Sequence, residues 1–311
     1  MEIITNGVLV SIIAHGLIGL SLIWDKVLLR QPETKNLISY VFWLGSLSVF
    51  GLVLIPFGYE SPGWGLALFA VGTGVLELLS NYFYYAALKA GEASETLAVM
   101  GGFSPLATVL FGVALLAEPL AGESVLGFVL LVLGGFVMFA AENMDVRALL
   151  PMVLLASVSF GLTNVLEKIV FNRTNFVTGF VLLTIGTFAG SMGLLIRRSW
   201  RVQIIESSGG ASPRNKAAYM TNRVAAGFGS FLIFYAISRT SPAVVDAISG
   251  LRYALVFVVA WTLTRFKPGW LVEDFGRRVV LMKTGATVLV IAGLVLLAAG
   301  ASLDSGASAG P

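Results

Sequence analysis

Five hydrophobic segments run from about Gly7 to Ala141, and five more follow in the same order from about Ala148 to Gly300. Five is an odd number. A unit that crosses a membrane an odd number of times must enter it from opposite sides in its two copies. Such inverted repeats occur in secondary transporters, with the substrate site between the halves near the bilayer midplane. Each segment supplies the roughly 20 apolar residues needed to cross a hydrocarbon core of about 30 Å. Only 12% of the residues are charged and 57% are hydrophobic, against about 25% charged in a typical soluble domain. Packing in water cannot hide that much apolar surface, so the expected class is an all-α integral membrane protein. Ten transmembrane helices would form two inverted five-helix repeats around a central cavity.

Segment lengths and breakers place helices at about 6–24, 37–57, 64–89, 93–117 and 123–141, then at about 148–171, 176–197, 217–239, 242–266 and 278–300. No dyad alternation suggests a β-barrel. Glu60-Ser61-Pro62-Gly63, Glu118-Pro119-Leu120, Ser241-Pro242 and Lys267-Pro268-Gly269 fall between segments. Pro151 and Pro242 are expected in first helical turns, where a missing N–H costs nothing. The longest connection spans about Arg197 to Lys216. The first repeat is set at 1–144 and the second at 145–300, with 301–311, rich in Gly, Ala and Ser, read as a disordered tail.

The two halves align. Trp24-Asp25-Lys26 matches Leu166-Glu167-Lys168, and Gly45 matches Gly186. Tyr85-Ala86-Ala87-Leu88-Lys89 matches Tyr235-Ala236-Ile237-Ser238-Arg239, and Gly127 and Gly135 match Gly285 and Gly293. Lys and Arg concentrate in alternate loops, with only Lys168, Arg173 and Arg239 on the other side. Basic residues favour the cytoplasm, so both termini are expected outside, in a multi-pass protein of the cell's inner (plasma) membrane. That also accounts for the net charge of +3 without a nucleic-acid partner. No positive n-region precedes the first apolar stretch, which reads as a retained helix.

Charges at helix centres cost about 2.5–3.5 kcal/mol each on insertion scales and usually face a cavity or a partner. Glu77, Arg223 and Arg252 sit deep, and His15 lies mid-segment. Thr73, Glu77, Ser80, Asn81 and Tyr84 recur at helical spacing as one polar stripe that points inward. Arg223 is expected near Glu77, either as part of a cavity or as an ion pair that fixes packing. On the ninth segment Asp246, Ser249, Gly250 and Tyr253 share a helical face, whereas Arg252 lies about 120° from Asp246 at α-helical pitch. The two are therefore not expected to point into one narrow pocket. Arg223 and Arg252 are candidates for an anionic substrate group, with Glu77, Asn81, Tyr84, Tyr253 and Ser249 completing the substrate set. Glu77, His15 and Asp246 are the candidate proton carriers. Asp25-Lys26 and Glu167-Lys168 read as snorkelling interface anchors, as does Lys283. Gly186-xxx-Gly190 reads as a small-residue packing motif.

Ala86-Ala87-Leu88-Lys89-Ala90-Gly91-Glu92-Ala93-Ser94, Ser104-Pro105-Leu106, Glu118-Pro119-Leu120 and Gly127 resemble the repeat of the EamA-type family of the drug/metabolite transporter superfamily. The second half, from Tyr235 to Gly293, resembles the same pattern. The resemblance implies ten helices around a cavity lined by the third, fourth, eighth and ninth. Two departures stand out: Ala117 replaces the usual glycine before Glu118, and Arg252-Tyr253-Ala254-Leu255 stands where the first half has Gly102-Phe103-Ser104-Pro105. The ninth segment therefore lacks the proline kink of the fourth.

The function expected is secondary transport, as export of a small metabolite such as an amino acid or organic anion, with protons as a candidate coupling ion. No Gly-x-x-x-x-Gly-Lys-Ser/Thr loop is present for ATP. Efflux of lipophilic cations at Glu77 is the alternative, provided both arginines are paired, and lipid-phosphate flipping is a third use of such a fold. An enzyme is disfavoured: there is no cysteine and one histidine, which leaves neither a metal cluster nor a standard triad. No cofactor is expected. The expected partners are a small-molecule substrate and the lipid bilayer, and a homodimer is compatible. The duplication breaks at Glu77 against Gly227, Thr73 against Arg223, Gly102 against Arg252 and His15 against Ser157.

Overall fold

In the computed structural model, residues 2–30, 36–90, 93–117, 124–141, 146–210, 212–252, 255–256, 258–259, 262 and 276–307 are described. Among them helix is the only regular structure. The helices are α1 (Glu2–Arg30), α2 (Leu37–Leu47) with a 3-10 continuation (Ser48–Phe57), α3 (Trp64–Ala90), α4 (Ala93–Leu116) and α5 (Ser124–Ala141). They continue as α6 (Val146–Arg173), α7 (Phe176–Gly193), α8 (Arg198–Gly210), α9 (Pro213–Arg239), α10 (Pro242–Ile248) and α11 (Arg277–Ala307). Among the described residues, five spans are long and apolar enough to cross a membrane: Gly7–Leu29, Leu37–Phe57, Trp64–Ala90, Leu150–Arg173 and Phe176–Gly193. Met100–Leu116 and Val125–Val137 are shorter apolar stretches. The chain is a multi-pass membrane protein.

Helix starts follow local chemistry. Asn36 and Asn175, each in extended backbone, cap α2 and α7 by accepting the N–H of Ser39 and Thr178, which satisfies donors that a helix start leaves free. Ser212 caps α9 in the same way ahead of Pro213. Pro242 opens α10 as expected. Pro151 lies inside α6 instead, because that helix starts earlier, at Val146.

Three boundaries differ from the sequence expectation. α1 runs on to Arg30 because Asp25 and Lys26 are buried and bonded, and so do not end it. The long connection after α7 folds into α8, whose Ile204 is buried and whose Gln203 accepts from Asn36 at 3.3 Å. α11 extends to Ala307, into the stretch expected to be a disordered tail. Adding residues to a formed helix is cheap once its nucleus exists, and alanine is the best helix former.

α1 packs along α9, α3 along α6 and α7, α4 along α6, and α5 along α11. Glycines set the closest approaches. A Cβ on Gly74 would stand 2.0 Å from the Leu183 carbonyl oxygen, and one on Gly186 would stand 2.1 Å from that of Val71. The α3–α7 seam therefore exists only because both residues lack a side chain. Gly190, its partner in the small-residue motif, faces Leu78 on the same seam.

Candidate functional site

A cavity of about 760 Å³ lies among α1, α2, α3, α4, α6, α7, α9 and the α10 region. Most of its wall is apolar, with a few polar groups set into it. That is the composition of a small-molecule site.

One end is closed by a buried polar knot. Arg223 of α9 forms an ion pair with Asp25 of α1, and both are buried. Asp25 also accepts from Tyr40, Tyr85 and Asn222. Arg223 donates to the Tyr85 hydroxyl at 2.9 Å, and its guanidinium lies 5.5, 5.8 and 5.4 Å from the rings of Tyr40, Tyr85 and Tyr219. The Tyr219 hydroxyl donates to the Tyr40 carbonyl at 2.9 Å, joining α9 to α2. The ring faces and the carboxylate together compensate the desolvation of the guanidinium. Away from this knot the wall includes a phenylalanine cluster of α7 and α9. Phe180 and Phe231 are 5.2 Å apart, Phe176 and Phe231 5.4 Å, and Phe180 and Phe234 5.5 Å.

Arg223 thus reaches the cavity but is committed to Asp25, not to Glu77. Nor is Asp25 a snorkelling anchor: it is 1% exposed. Lys26 is equally hidden and donates to the Leu88 carbonyl at the end of α3. Lys168, 9% exposed, reaches the Ser238 carbonyl near the end of α9 at 3.5 Å. Both amines sit where helix C-termini present unpaired carbonyls and negative dipole ends. Lys283 is fully buried as well. Sequence position alone suggested interface residues because all but Lys283 lie near segment ends. The helices overrun those ends, which draws the charges inside.

The polar stripe of α3 divides. Glu77, Asn81 and Tyr84 face the cavity. Thr73 and Ser80 do not: they bond back to the carbonyls of Phe69 and Leu76, and Ser80 meets Thr163 of α6 at 3.3 Å. Glu77 accepts from Thr187 of α7 at 2.9 Å. Glu167 of α6 lines the same cavity within electrostatic reach of Glu77. Its alignment with Asp25 concealed this role, since that alignment suggested only a shared anchor position. Its i, i+3 spacing from Asn164, which also lines the cavity, was the available signal.

Asp246, Ser249 and Arg252 all line the cavity, contrary to the 120° expectation. The α-helix stops at Ile248. Ser249 N–H then bonds to the Asp246 carbonyl and Arg252 N–H to the Ser249 carbonyl, each at 2.9 Å. These are i→i−3 links, and at 3-10 pitch side chains three apart eclipse. Asp246 accepts from Ser104 at 2.8 Å and from Thr108, tying the region to α4. Arg252 donates through Nε to Nδ1 of His15 at 2.7 Å, and His15 Nε2 stands 2.8 Å from the Val245 carbonyl. The neutral tautomer carrying the proton on Nε2 satisfies both bonds. His15 therefore holds Arg252 in place and has no free nitrogen to take up a second proton. Tyr253 lies outside the described residues.

Among the described residues, Asp25–Arg223 is the one ion pair. No base stands within salt-bridge distance of Glu77 or Glu167 there. Among the described residues, the cavity therefore contains two carboxylates without a base in salt-bridge reach, while both of its guanidiniums are engaged.

No curated protein sequence matches the chain. Among solved structures, 28 chains are similar. One, a crystal structure described only as that of a protein, aligns over 99% of this chain and 99% of its own with a TM-score of 0.62. Its sequence identity of 17% makes this a likeness of fold. The profile of the EamA-like transporter family matches residues 5–140, which contain α1 to α4, most of α5 and the Glu77 side of the cavity. That segment matches the EamA-like transporter family, which belongs to the drug/metabolite transporter superfamily.

Proposed function

We propose that the chain is a secondary transporter of two inverted five-helix repeats, divided near residue 144, that exchanges an organic cation for protons at Glu77 and Glu167. The observation that carries this reading is the charge balance of the cavity. Arg223 is neutralised by Asp25 and Arg252 is held by His15. Among the described residues, Glu77 and Glu167 face a largely apolar space with no base in salt-bridge reach. A cation with apolar substituents suits such a wall, whereas an anion does not. Two neighbouring carboxylates hold protons or a cation but not both in full, and that competition couples the two fluxes. An inward proton gradient then drives the cation out. Asp246 is the third acid, and its two donors make it the joint between α10 and α4.

Contacts that recur across the halves support the repeat. Lys26 bonds Leu88 and Lys168 bonds Ser238, and these are aligned pairs. Gly19 of α1 packs on Arg252, as Gly161 of α6 packs on Ala107 and Thr108 of α4. With basic loops cytoplasmic, both termini lie outside the plasma membrane.

A ligand stabilises the protein by an amount set by its concentration over Kd. Tetraphenylphosphonium is expected to raise the melting temperature of the purified protein. Glu77→Gln and Glu167→Gln should each weaken its binding roughly ten-fold or more. Stabilisation by glutamate instead, lost in Arg252→Gln, would return the amino-acid or organic-anion reading in its place.

A further inference from the structure

Between the buried knot and the phenylalanines, one side of the cavity is lined by exposed apolar residues. Phe50 and Val53 of the 3-10 segment and Val224 and Phe228 of α9 all line it. Yet they are 69%, 67%, 68% and 57% exposed. α2 and α9 touch at Tyr40 and Tyr219 and α7 and α9 touch at the phenylalanines, whereas between those points the 3-10 segment and α9 stand apart. The gap lies along the middle of α9, beside the membrane-crossing span Leu37–Phe57, and its rim is apolar.

The duplication shows why this seam is open. The register that pairs Tyr85 with Tyr235 pairs Gly74 with Val224, and Gly45 pairs with Gly186. Between α3 and α7, Gly74 and Gly186 allow backbone contact. At the matching seam Val224 brings a side chain where Gly74 has none. Gly45 packs instead on Ser191, Leu78 and Thr187, so α2 leans toward α7 and α3 and away from α9. One seam is sealed by glycine, and at its counterpart Val224 stands 68% exposed.

We infer that the gap between Ser48–Phe57 and α9 is a lateral window through which the cavity takes its ligand from the bilayer, and that the ligand is an amphiphile with a cationic head and a hydrocarbon tail. The head reaches Glu77 and Glu167 while the tail lies in the window against Phe50, Val53, Val224 and Phe228. This rests on the carboxylate reading above for the head and on the rim alone for the tail. Hydrocarbon passes an apolar rim without desolvating anything, whereas a free polar solute would arrive by a hydrated route.

The chain has no cysteine, so Val53→Cys and Val224→Cys each introduce a single thiol. Leu110→Cys, at a 67% exposed position of α4 away from the cavity, is the control. In proteoliposomes all three should react with a membrane-dissolved pyrene maleimide. Dodecyltrimethylammonium should slow labelling several-fold at Val53→Cys and Val224→Cys and leave Leu110→Cys unchanged. Tetramethylammonium, a head without a tail, should slow neither. Binding of radiolabelled dodecyltrimethylammonium with no protection at the rim, or equal protection by tetramethylammonium, would overturn the window and leave the carboxylate site standing. Failure of dodecyltrimethylammonium to bind the wild-type protein would overturn the carboxylate site and the assigned ligand together.

Discussion

Replacing Gly186 by leucine is expected to abolish the folded protein. A single Cβ there already falls 2.1 Å from the Val71 carbonyl oxygen, and the neighbours are the backbone atoms of α3. Backbone cannot rotate out of the way as a flexible side chain can. Overpacking against movable side chains costs about 1–3 kcal/mol. Separating two helices that meet at Gly74 and Gly186 loses the whole seam and exceeds that range. Gly74→Leu should fail in the same manner, because its Cβ meets the Leu183 carbonyl oxygen at 2.0 Å. Gly112→Ala in α4 is the matched control: nothing lies within 4 Å of that Cβ. It should be neutral or stabilising by roughly 0.5–1 kcal/mol, the difference between glycine and alanine in a helix. Thermal unfolding and size-exclusion profiles in detergent read both outcomes. A monodisperse Gly186→Leu protein with wild-type melting would show that the seam is not as described.

The second large effect is expected at the polar knot. Asp25→Asn leaves the Arg223 guanidinium buried without its carboxylate, and Arg223→Met leaves Asp25 buried without its base. Removing one partner of a buried ion pair costs about 3–5 kcal/mol, a large part of a stability of about 5–15 kcal/mol. Asp25 also organises Tyr40, Tyr85 and Asn222, so its loss should be the worse of the two. The double variant Asp25→Leu/Arg223→Met removes both charges and should recover part of the loss, because no uncompensated charge remains. Chemical or thermal denaturation of the three variants tests the pairing. Equal, additive losses in the double variant would mean that the two groups do not compensate each other.

The fold was legible in the sequence wherever the signal was a long apolar run. The described segments other than the ninth, Pro242 and the Gly186-xxx-Gly190 motif follow from length, breakers and small-residue spacing. The cavity-facing part of the α3 stripe was legible for the same reason, since Glu77, Asn81 and Tyr84 repeat at helical pitch. What stayed hidden depended on pitch or on partners distant in the chain. The Asp246–Arg252 angle assumed 3.6 residues per turn, and the two 3-10 links after Ile248 realign both side chains. Sequence spacing cannot reveal a change of pitch that tertiary contacts impose. Arg223 was assigned to Glu77 because the repeat aligned their helices, yet Asp25 is 198 residues away and reaches it through the α1–α9 packing. Glu167 was missed because it aligns with Asp25, and the same aligned position serves as a lock in one half and as cavity wall in the other.

The central claim is that protons and an organic cation compete for Glu77 and Glu167. It is tested most directly by the pH dependence of tetraphenylphosphonium binding to the purified wild-type protein and to the Glu77→Gln/Glu167→Gln double variant. Protonation removes the negative charge that attracts the cation, so wild-type affinity should fall as the solution is acidified and recover on return to alkaline pH. The double variant should bind weakly, with no dependence on pH across the same interval. Wild-type binding that ignores pH, or a double variant that keeps both the affinity and its pH dependence, would contradict the account.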